Sequence, residues 1–326
     1  NAPYVTSASV TYMVNTAPTI TNVTATSAAA TQGATDADAG KVTVIYDLTD
    51  DASETTDTYE AYLFYDVGVT LSSDNTTTLT VSDTSKMPST GYVQIGTEVV
   101  KYGAIVNGTT LGTLTRGSSD LSWPGSAARH TKAYSSGSVV WIKAGAVTGD
   151  VGSVTKGTSK TMVWDQRSEA QFASYSKYDA KVRVLVHDSN LANQLSSQSL
   201  SSTDSSANVI IDNLAPTFSF TFDAGVAGET NSATVSMSTT GDATSTAQYM
   251  IADDAATHST ASSTPWTTFT TPGSRAWTLD SDFEIKTVKV QVRDPYGNAA
   301  ATSTASTIMP AASGAFLVQD VSKIAT

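Results

Sequence analysis

Apolar and polar residues alternate with a period of two along much of the chain, in short runs separated by turn-forming residues. Residues 41–46, 181–186 and 286–292 each place an apolar side chain at nearly every second position. This period is typical of a half-buried β-strand, because successive side chains of a strand point to opposite faces. Clusters rich in Gly, Asp, Asn and Ser lie between the runs and suit turns. Helical periodicity is nearly absent, so the pattern predicts an all-β protein built of sandwiches or barrels.

A short repeated motif divides the chain. The pattern Asn-x-Ala-Pro occurs at residues 15–18 and 213–216, and each copy precedes a Thr and a new apolar run. Because Pro fixes φ and favours an extended conformation in the residue before it, we interpret both copies as joints between domains. The motif therefore predicts two sandwiches, one beginning near Ala17 and one beginning near Ala215.

The second predicted sandwich has a characteristic end. Its last alternating run, 286–292, is followed by Arg293 and Asp294 and then by a Gly-Asn turn. This arrangement resembles the immunoglobulin-like repeats of prokaryotic cell-surface proteins over residues 213–309. The resemblance implies a sandwich that serves as a spacer or as an adhesive unit.

The first predicted sandwich is discontinuous. Residues 17–69 carry its opening strands, and residues 144–212 carry a Gly-rich turn, a Val-Trp-Asp triplet at 163–165 and a further alternating strand. Together these two parts resemble another surface-type immunoglobulin-like domain. We therefore expect a single domain with an insertion in one loop, where insertions are tolerated.

The expected insertion covers residues 70–143. A Gly-x-x-x-Ile-Gly-x-Glu hairpin at 91–98, a Leu-Thr-Arg-Gly turn at 114–117 and His130 before the last strand resemble a small module of phage tail and other virion structural proteins. The resemblance implies a β-rich inserted domain. The full fold prediction is therefore tandem immunoglobulin-like β-sandwiches with a small inserted β-rich domain.

Two terminal segments lie outside these domains. The arm, residues 1–16, alternates weakly and is predicted to form a strand. Such a strand can close the edge of its own sandwich, or it can add to an open sheet of a neighbouring subunit. The tail, residues 310–326, is apolar enough around Phe316 to dock. The residues of the candidate assembly strand are Tyr4, Thr6, Ala8, Val10, Tyr12 and Val14.

Composition restricts the partners. Charged residues make up only 15% of the chain and the formal net charge is −12, so most of the surface repels a polyanion and we expect no nucleic acid partner. No apolar stretch has the length of a membrane helix, and we expect no membrane span. An acidic, Lys-poor surface favours an extracellular, cell-surface or virion-surface location. A start at Asn1 without Met is expected of a processed chain or a defined fragment.

The sequence contains few of the residues and motifs on which catalysis commonly depends. There is no Cys, which excludes thiol chemistry and Cys-based metal sites. The three histidines, His130, His187 and His258, fall in different predicted modules and lack metal-ligand spacing. Since the Gly-x-Ser-x-Gly motif is also absent, we predict that the chain is not an enzyme and has no catalytic residues.

Calcium is the one cofactor for which the sequence offers a candidate site. Asp36 and Asp38 alternate with small residues before Gly40, as carboxylates do in a calcium loop. The run stops short of a full ligand set, so a solvated acidic turn is the alternative interpretation.

Aromatic residues and sequons supply the remaining candidate sites. Trp123 and Trp266 each lie next to Pro in a Ser/Thr-rich loop and are candidates for contact with a ligand such as a sugar. Packing of the loop is the alternative role. Three sequons, at Asn22, Asn75 and Asn107, are candidates for glycosylation in a host that attaches sugars.

These features favour a non-enzymatic structural subunit of an extracellular assembly, either a surface filament or sheath or a virion appendage. The subunit would form a homopolymer, with the N-terminal arm adding a strand to a neighbouring copy. One alternative is an adhesin that binds a carbohydrate or a cell-surface receptor through the insertion or the Trp123 loop. Another is a set of accessory domains from a larger secreted protein.

Overall fold

The computed structural model describes two compact units of the chain. The described residues are 17–30, 37–51, 58–96, 98–116, 134–188, 200–223, 232–240, 246–253, 266–270, 272–278, 285–300 and 303–308. The first unit takes its described residues from the ranges 1–26, 42–172 and 177–210, and the second from 27–41, 173–176 and 211 onward.

Strands account for nearly all the regular structure of the first unit. They are β1 Thr19–Ser27, β2 Val42–Thr49, β3 Tyr59–Asp66, β4 Leu71–Asp74, β5 Leu79–Val81, β6 Gly91–Ile95, β7 Glu98–Asn107, β8 Thr110–Arg116, β9 Val140–Lys143, β10 Val147–Gly149, β11 Gly152–Val154, β12 Gly157–Trp164, β13 Ser176–Asp188, β14 Leu200–Asp204 and β15 Val209–Asp212. Two short 3-10 turns follow β12, at Gln166–Ser168 and Ala170–Phe172.

The second unit continues the pattern. Its strands are β16 Thr217–Asp223, β17 Ser232–Thr240, β18 Thr246–Asp253, β19 Thr267–Thr270, β20 Gly273–Thr278, β21 Ile285–Arg293 and β22 Ser303–Ile308. They form a three-stranded sheet in the order β16-β17-β20 and a four-stranded sheet in the order β19-β18-β21-β22. The pairings within these sheets are antiparallel. The predicted all-β fold class is therefore confirmed.

Two sheets of the first unit enclose its core. One sheet has four strands in the order β1-β2-β12-β10, and the other runs β14-β13-β3-β9-β6-β7-β8-β5-β4, with β11 and β15 attached to β3 and β13. Along β2 every second side chain is buried, from Val42 to Leu48. This is the alternation that the sequence predicts for a strand with one face on the core.

An aromatic cluster packs between the two sheets. The rings of Tyr65 on β3 and Trp164 on β12 stack with their centroids 5.1 Å apart. Phe172, from the second 3-10 turn, meets both rings edge-on at 5.1 and 5.9 Å. All three residues are fully buried. Because aromatic side chains bury large areas, and such ring contacts add further stabilisation, this cluster is a principal contribution to the sandwich core.

A buried carboxylate fixes the turn beside that cluster. One oxygen of Glu169, Oε1, accepts hydrogen bonds from the backbone N–H groups of Gly145 and Ala146 at 2.6 and 3.0 Å, and from the indole Nε1 of Trp164 at 3.1 Å. The other oxygen accepts a hydrogen bond from the side-chain amide of Gln171 at 3.1 Å. Glu169 is only 8% exposed. Charge-assisted hydrogen bonds of this kind are stronger than neutral ones, so the carboxylate holds the end of β12 against the segment before β10.

The strands between β3 and β9 close on themselves. From β9 the pairing runs through β6, β7, β8 and β5 to β4. Three backbone hydrogen bonds then join the chain around the start of β4 to the chain around the start of β9. Leu71 N donates to Ser138 O, Gly137 N donates to Leu71 O, and Val140 N donates to Val69 O, at 2.8, 2.7 and 3.0 Å. The closure makes a small barrel, which we call the side barrel, and it covers the edge of the sheet at the start of β4.

The side barrel is continuous with the sandwich. β9 pairs with β3 at Phe64 and Tyr65 and with β6 at residues 93–95, so backbone hydrogen bonding runs from β14 to β4 without interruption. The side barrel lies within the predicted insertion, residues 70–143. The exact domain boundaries stay a prediction, as does the likeness to immunoglobulin-like and phage modules.

Removal of the Glu169 carboxylate tests its role in stability. In Glu169→Ala the N–H groups of Gly145, Ala146 and Trp164 lose a buried acceptor, and we expect the free energy of unfolding to fall by about 3 kcal/mol or more. Glu169→Gln keeps one acceptor oxygen and should lose about 1 kcal/mol. Urea denaturation measures both variants. Equal stability of the alanine and glutamine variants would contradict the proposed role.

Candidate functional sites

Aromatic and cationic side chains share one face of the large sheet in the first unit. The ammonium group of Lys143 lies 5.0 Å from the ring centre of Tyr62 and 5.6 Å from that of Tyr92. The guanidinium group of Arg183 lies 4.0 Å from the ring centre of Trp141. We call these five residues the aromatic face. Their contacts are cation–π interactions, which the negative ring face favours.

Hydrogen bonds tie the aromatic face to its neighbours. Tyr62 donates its hydroxyl proton to Glu60 Oε2 at 2.5 Å, and the same oxygen lies 3.2 Å from His187 Nε2. Burial raises the pKa of the Tyr62 hydroxyl, and the Glu60 hydrogen bond raises it further, so the phenol stays protonated. Desolvation lowers the pKa of Lys143, and the charge of Glu169 opposes that effect.

His187 is the histidine that the structure describes in detail. It is 2% exposed and lies directly across from Glu60 in the β3–β13 ladder. Its ring also stacks on Tyr62 with centroids 6.1 Å apart. These contacts assign His187 a packing role within the sheet. His130 and His258 lie outside the described residues.

A buried ion cluster joins strands of the side barrel. Arg116 Nη1 lies 3.4 Å from Glu98 Oε2, and Nη2 forms an ion pair with Asp74. The second oxygen of Asp74 accepts a hydrogen bond from Tyr134 N at 3.0 Å. The three charged side chains are at most 7% exposed. Glu98 and Arg116 both belong to the motifs that the sequence singles out, and the structure brings them together. Asp74 lies outside those motifs, and nothing in the local sequence marks it.

The candidate calcium loop is described only in part. Asp36 lies outside the described residues. Asp38 is exposed, and its carboxylate pairs with Lys41 Nζ at 2.9 Å across the turn that ends at Gly40. Within the described ranges, no three His, Asp or Glu side chains come close enough together to hold a metal ion. The calcium site stays a prediction.

The structure describes one of the two candidate ligand-contact tryptophans. Trp123 lies outside the described residues. Trp266 is 6% exposed, and the guanidinium group of Arg293 lies 4.5 Å from its ring centre. Trp266 is therefore packed, which agrees with the alternative role that the sequence analysis gives it. The guanidinium group of Arg293, on β21, lies over the indole ring of Trp266. Little of the ring face is therefore exposed for contact with a sugar.

The three sequons lie in different environments. Asn22 is exposed, but its side-chain amide donates to Asp47 Oδ2 at 2.6 Å, and this bond, with a second from Ser159 N, lowers the pKa of Asp47. Asn75 lies at the β4–β5 turn and is exposed. Asn107 is exposed at the β7–β8 turn, where its side-chain oxygen accepts hydrogen bonds from Thr109 N and Oγ1. Glycosylation of these sites stays a prediction.

The candidate assembly strand, with its residues from Tyr4 to Val14, lies outside the described residues, as does the tail 310–326. Within the described part of the chain, no helix has the length and hydropathy needed to cross a bilayer.

No protein-family model matches the chain, and no curated protein matches it.

The Arg-Asp-Pro-Tyr-Gly-Asn turn of the second unit holds a buried carboxyl group. Asp294 is fully buried, and its carboxyl accepts hydrogen bonds from Tyr296 N, Asn298 N and Asn298 Nδ2 at 2.8, 2.9 and 2.7 Å. Burial raises the pKa of Asp294 to about 6 against the effect of those hydrogen bonds, and the nearby charge of Asp212 adds to the rise. Asn298 Nδ2 also donates to Asp212 O at 2.9 Å, which connects the turn to the start of the unit.

The raised pKa of Asp294 predicts a pH-dependent stability. The native carboxyl holds its proton more tightly than the unfolded one, so the free energy of unfolding should fall as pH rises from about 4 to above 6. The upper limit of this contribution is about 3 kcal/mol. Denaturation of the wild type and Asp294→Asn at pH 4 and pH 7 measures it.

Asp294→Asn should gain stability relative to the wild type as pH rises, because Asn carries no charge at either pH. Ser219→Ala, an exposed change in the same unit that removes no titratable group, serves as the control and should keep a constant difference. A pH-independent difference between the wild type and Asp294→Asn would show that the native pKa is not raised.

Proposed function

We propose that the chain is a non-enzymatic structural subunit of an extracellular assembly, such as a surface filament, a sheath or a virion appendage, and that it associates with copies of itself. The observation that carries the proposal is the uninterrupted sheet from β14 to β4. Because one hydrogen-bonded ladder passes through both the sandwich and the side barrel, load applied to one is transmitted to the other through many backbone hydrogen bonds.

The protected edges of the first unit support a role in ordered assembly. The side barrel closes its own edge, and the carbonyl groups of β1 at Ile20 and Val23 accept hydrogen bonds from Thr203 Oγ1 and Ser206 N. Protection of this kind opposes indiscriminate edge-to-edge association. A subunit that polymerises in a defined way needs such protection everywhere except at its intended joint.

The joint in our proposal is strand addition by the N-terminal arm. Strand addition requires a strand at the end of an acceptor sheet, and β16 occupies that position in the second unit. β16 spans seven residues, a length that the alternating segment from Tyr4 to Val14 can match. Main-chain hydrogen bonds would provide the affinity, and alternate side chains would provide the register.

Truncation and proline substitution test the joint. Deletion of residues 1–14 should abolish polymers seen by negative-stain electron microscopy and leave a folded monomer by circular dichroism. Val10→Pro removes a backbone N–H from the arm and should weaken polymerisation. Val10→Ile keeps the N–H and the apolar side chain, and it should polymerise as the wild type does. Normal polymers from the truncated chain would disprove strand addition, and a full-length chain that stays monomeric at high concentration would disprove self-assembly.

A further inference from the structure

One peptide bond of the second unit joins Asp to Pro. Of the nine prolines in the chain, only Pro295 follows an Asp, and the bond lies in the turn at 294–298, directly after β21. The nitrogen of such a bond belongs to a tertiary amide and carries no hydrogen. It accepts a proton more readily than the nitrogen of an ordinary peptide bond, and it then departs as a secondary amine. The Asp294–Pro295 bond is therefore more easily broken in acid than its neighbours.

The side chain of Asp294 is a nucleophile held beside this bond. Attack by a carboxyl oxygen on the backbone carbonyl carbon of the same residue closes a five-membered ring. Hydrogen bonds from Tyr296 N, Asn298 N and Asn298 Nδ2, at 2.8, 2.9 and 2.7 Å, orient the carboxyl group, and the residue is fully buried. Fixing a nucleophile next to the group that it attacks raises its effective concentration.

The carbonyl group of the same bond already has a hydrogen-bond donor. Gly297 N donates to the carbonyl oxygen of Asp294 at 3.2 Å. Negative charge develops on this oxygen when the carbonyl carbon is attacked, and a fixed backbone N–H stabilises that charge, as in the oxyanion hole of an acyl-transfer enzyme. Gly297 has a φ of +87°, in the left-handed region that glycine adopts without strain. The glycine therefore maintains the position of the donor.

The proton that the leaving nitrogen needs is present on the carboxyl group in mild acid. Burial raises the pKa of Asp294 to about 6, so the acid form persists at a pH at which an exposed Asp has lost its proton. The charged neighbours in the described part of the chain are Asp212 and Arg293. The charge of Asp212 adds to the rise, and the guanidinium group of Arg293 lies over the ring of Trp266.

We propose that the chain cleaves itself, once, at the Asp294–Pro295 bond in mildly acidic solution. The carboxyl proton passes to the nitrogen of Pro295, and the carboxylate oxygen forms a bond to the carbonyl carbon of Asp294. The carbon–nitrogen bond breaks, and its electron pair stays on the nitrogen. One water molecule opens the resulting cyclic anhydride. The products are residues 1–294, which end in Asp, and residues 295–326, which begin with Pro.

Cleavage changes how β22 is held. β22 pairs with β21 over residues 303–308 and lies at the end of the four-stranded sheet. After the Asp294–Pro295 bond breaks, hydrogen bonds and packing hold β22 against β21, and the backbone no longer connects the two strands. Departure of β22 exposes the edge of β21, and an exposed edge can pair with another strand. This inference does not rest on the proposed self-assembly.

Mass spectrometry of the full chain after incubation tests the reaction. At pH 5 we expect fragments with the masses of residues 1–294 and 295–326, formed at least about tenfold faster than at pH 7.5, where the Asp294 carboxyl is mostly ionised. In urea at pH 5 the carboxyl regains its ordinary pKa, so the same fragments should form about tenfold more slowly. Circular dichroism establishes that the chain without urea is folded at both pH values.

Absence of these fragments at pH 5 would overturn the proposal. Equal or faster cleavage in urea would overturn it as well, because that result is the ordinary acid sensitivity of an Asp-Pro bond and needs no folded turn.

Variants assign the reaction to the turn. Asp294→Asn removes the acid, and Pro295→Ala keeps the acid but replaces the tertiary amide with a secondary one. Each should form the fragments at least about tenfold more slowly at pH 5. Pro272→Ala changes an exposed proline of the same unit and should cleave at the wild-type rate. If Asp294→Asn does not fold, Pro295→Ala decides the result.

A contaminating protease is the alternative source of the fragments. An intramolecular reaction is first order, so its rate constant should stay the same when the sample is diluted, whereas cleavage by a protease would slow. A rate constant that falls on dilution, or a wild-type rate in folded Asp294→Asn or Pro295→Ala, would contradict self-cleavage.

Discussion

The sandwich of the first unit depends on packing Trp164 against the opposite sheet. A large ring can stay fully buried there only if its indole N–H has an acceptor, because an unsatisfied buried donor is costly. Glu169 is that acceptor. The carboxylate is itself tolerated in the interior because backbone and side-chain donors surround it. The burial of the Trp164 ring and the burial of the Glu169 carboxylate therefore depend on each other.

The side barrel also buries charged side chains, and there the charges pair with one another. Beside its buried apolar residues, it places a cation between two carboxylates among its strands. Any other register of the strands would be strongly destabilised, because it would leave a buried charge without its partner. Arg116 and Glu98 lie on adjacent paired strands, so their contact is consistent with a single register of that hairpin.

Local patterns predicted the parts of the structure that depend on local sequence. The alternation of β2 follows from burial of one face, and it is visible in any short window. Glu169 was not predicted, because its donors at Gly145 and Ala146 are more than twenty residues earlier in the chain. The hydrogen bond between the hydroxyl groups of Ser236 and Ser274 was not predicted for a related reason. Ser and Thr are common throughout the chain, and only the pairing of β16, β17 and β20 shows which of them are neighbours.

The point where the side barrel leaves the sandwich has a consequence for how such a chain diversifies. Val69 and Val140 are joined by a backbone hydrogen bond, so the segment between them begins and ends at adjacent positions. A segment whose two ends lie side by side can be exchanged, shortened or replaced without displacing the strands of the sandwich. The side barrel is thus a point at which one lineage can acquire new surface while its sandwich is retained.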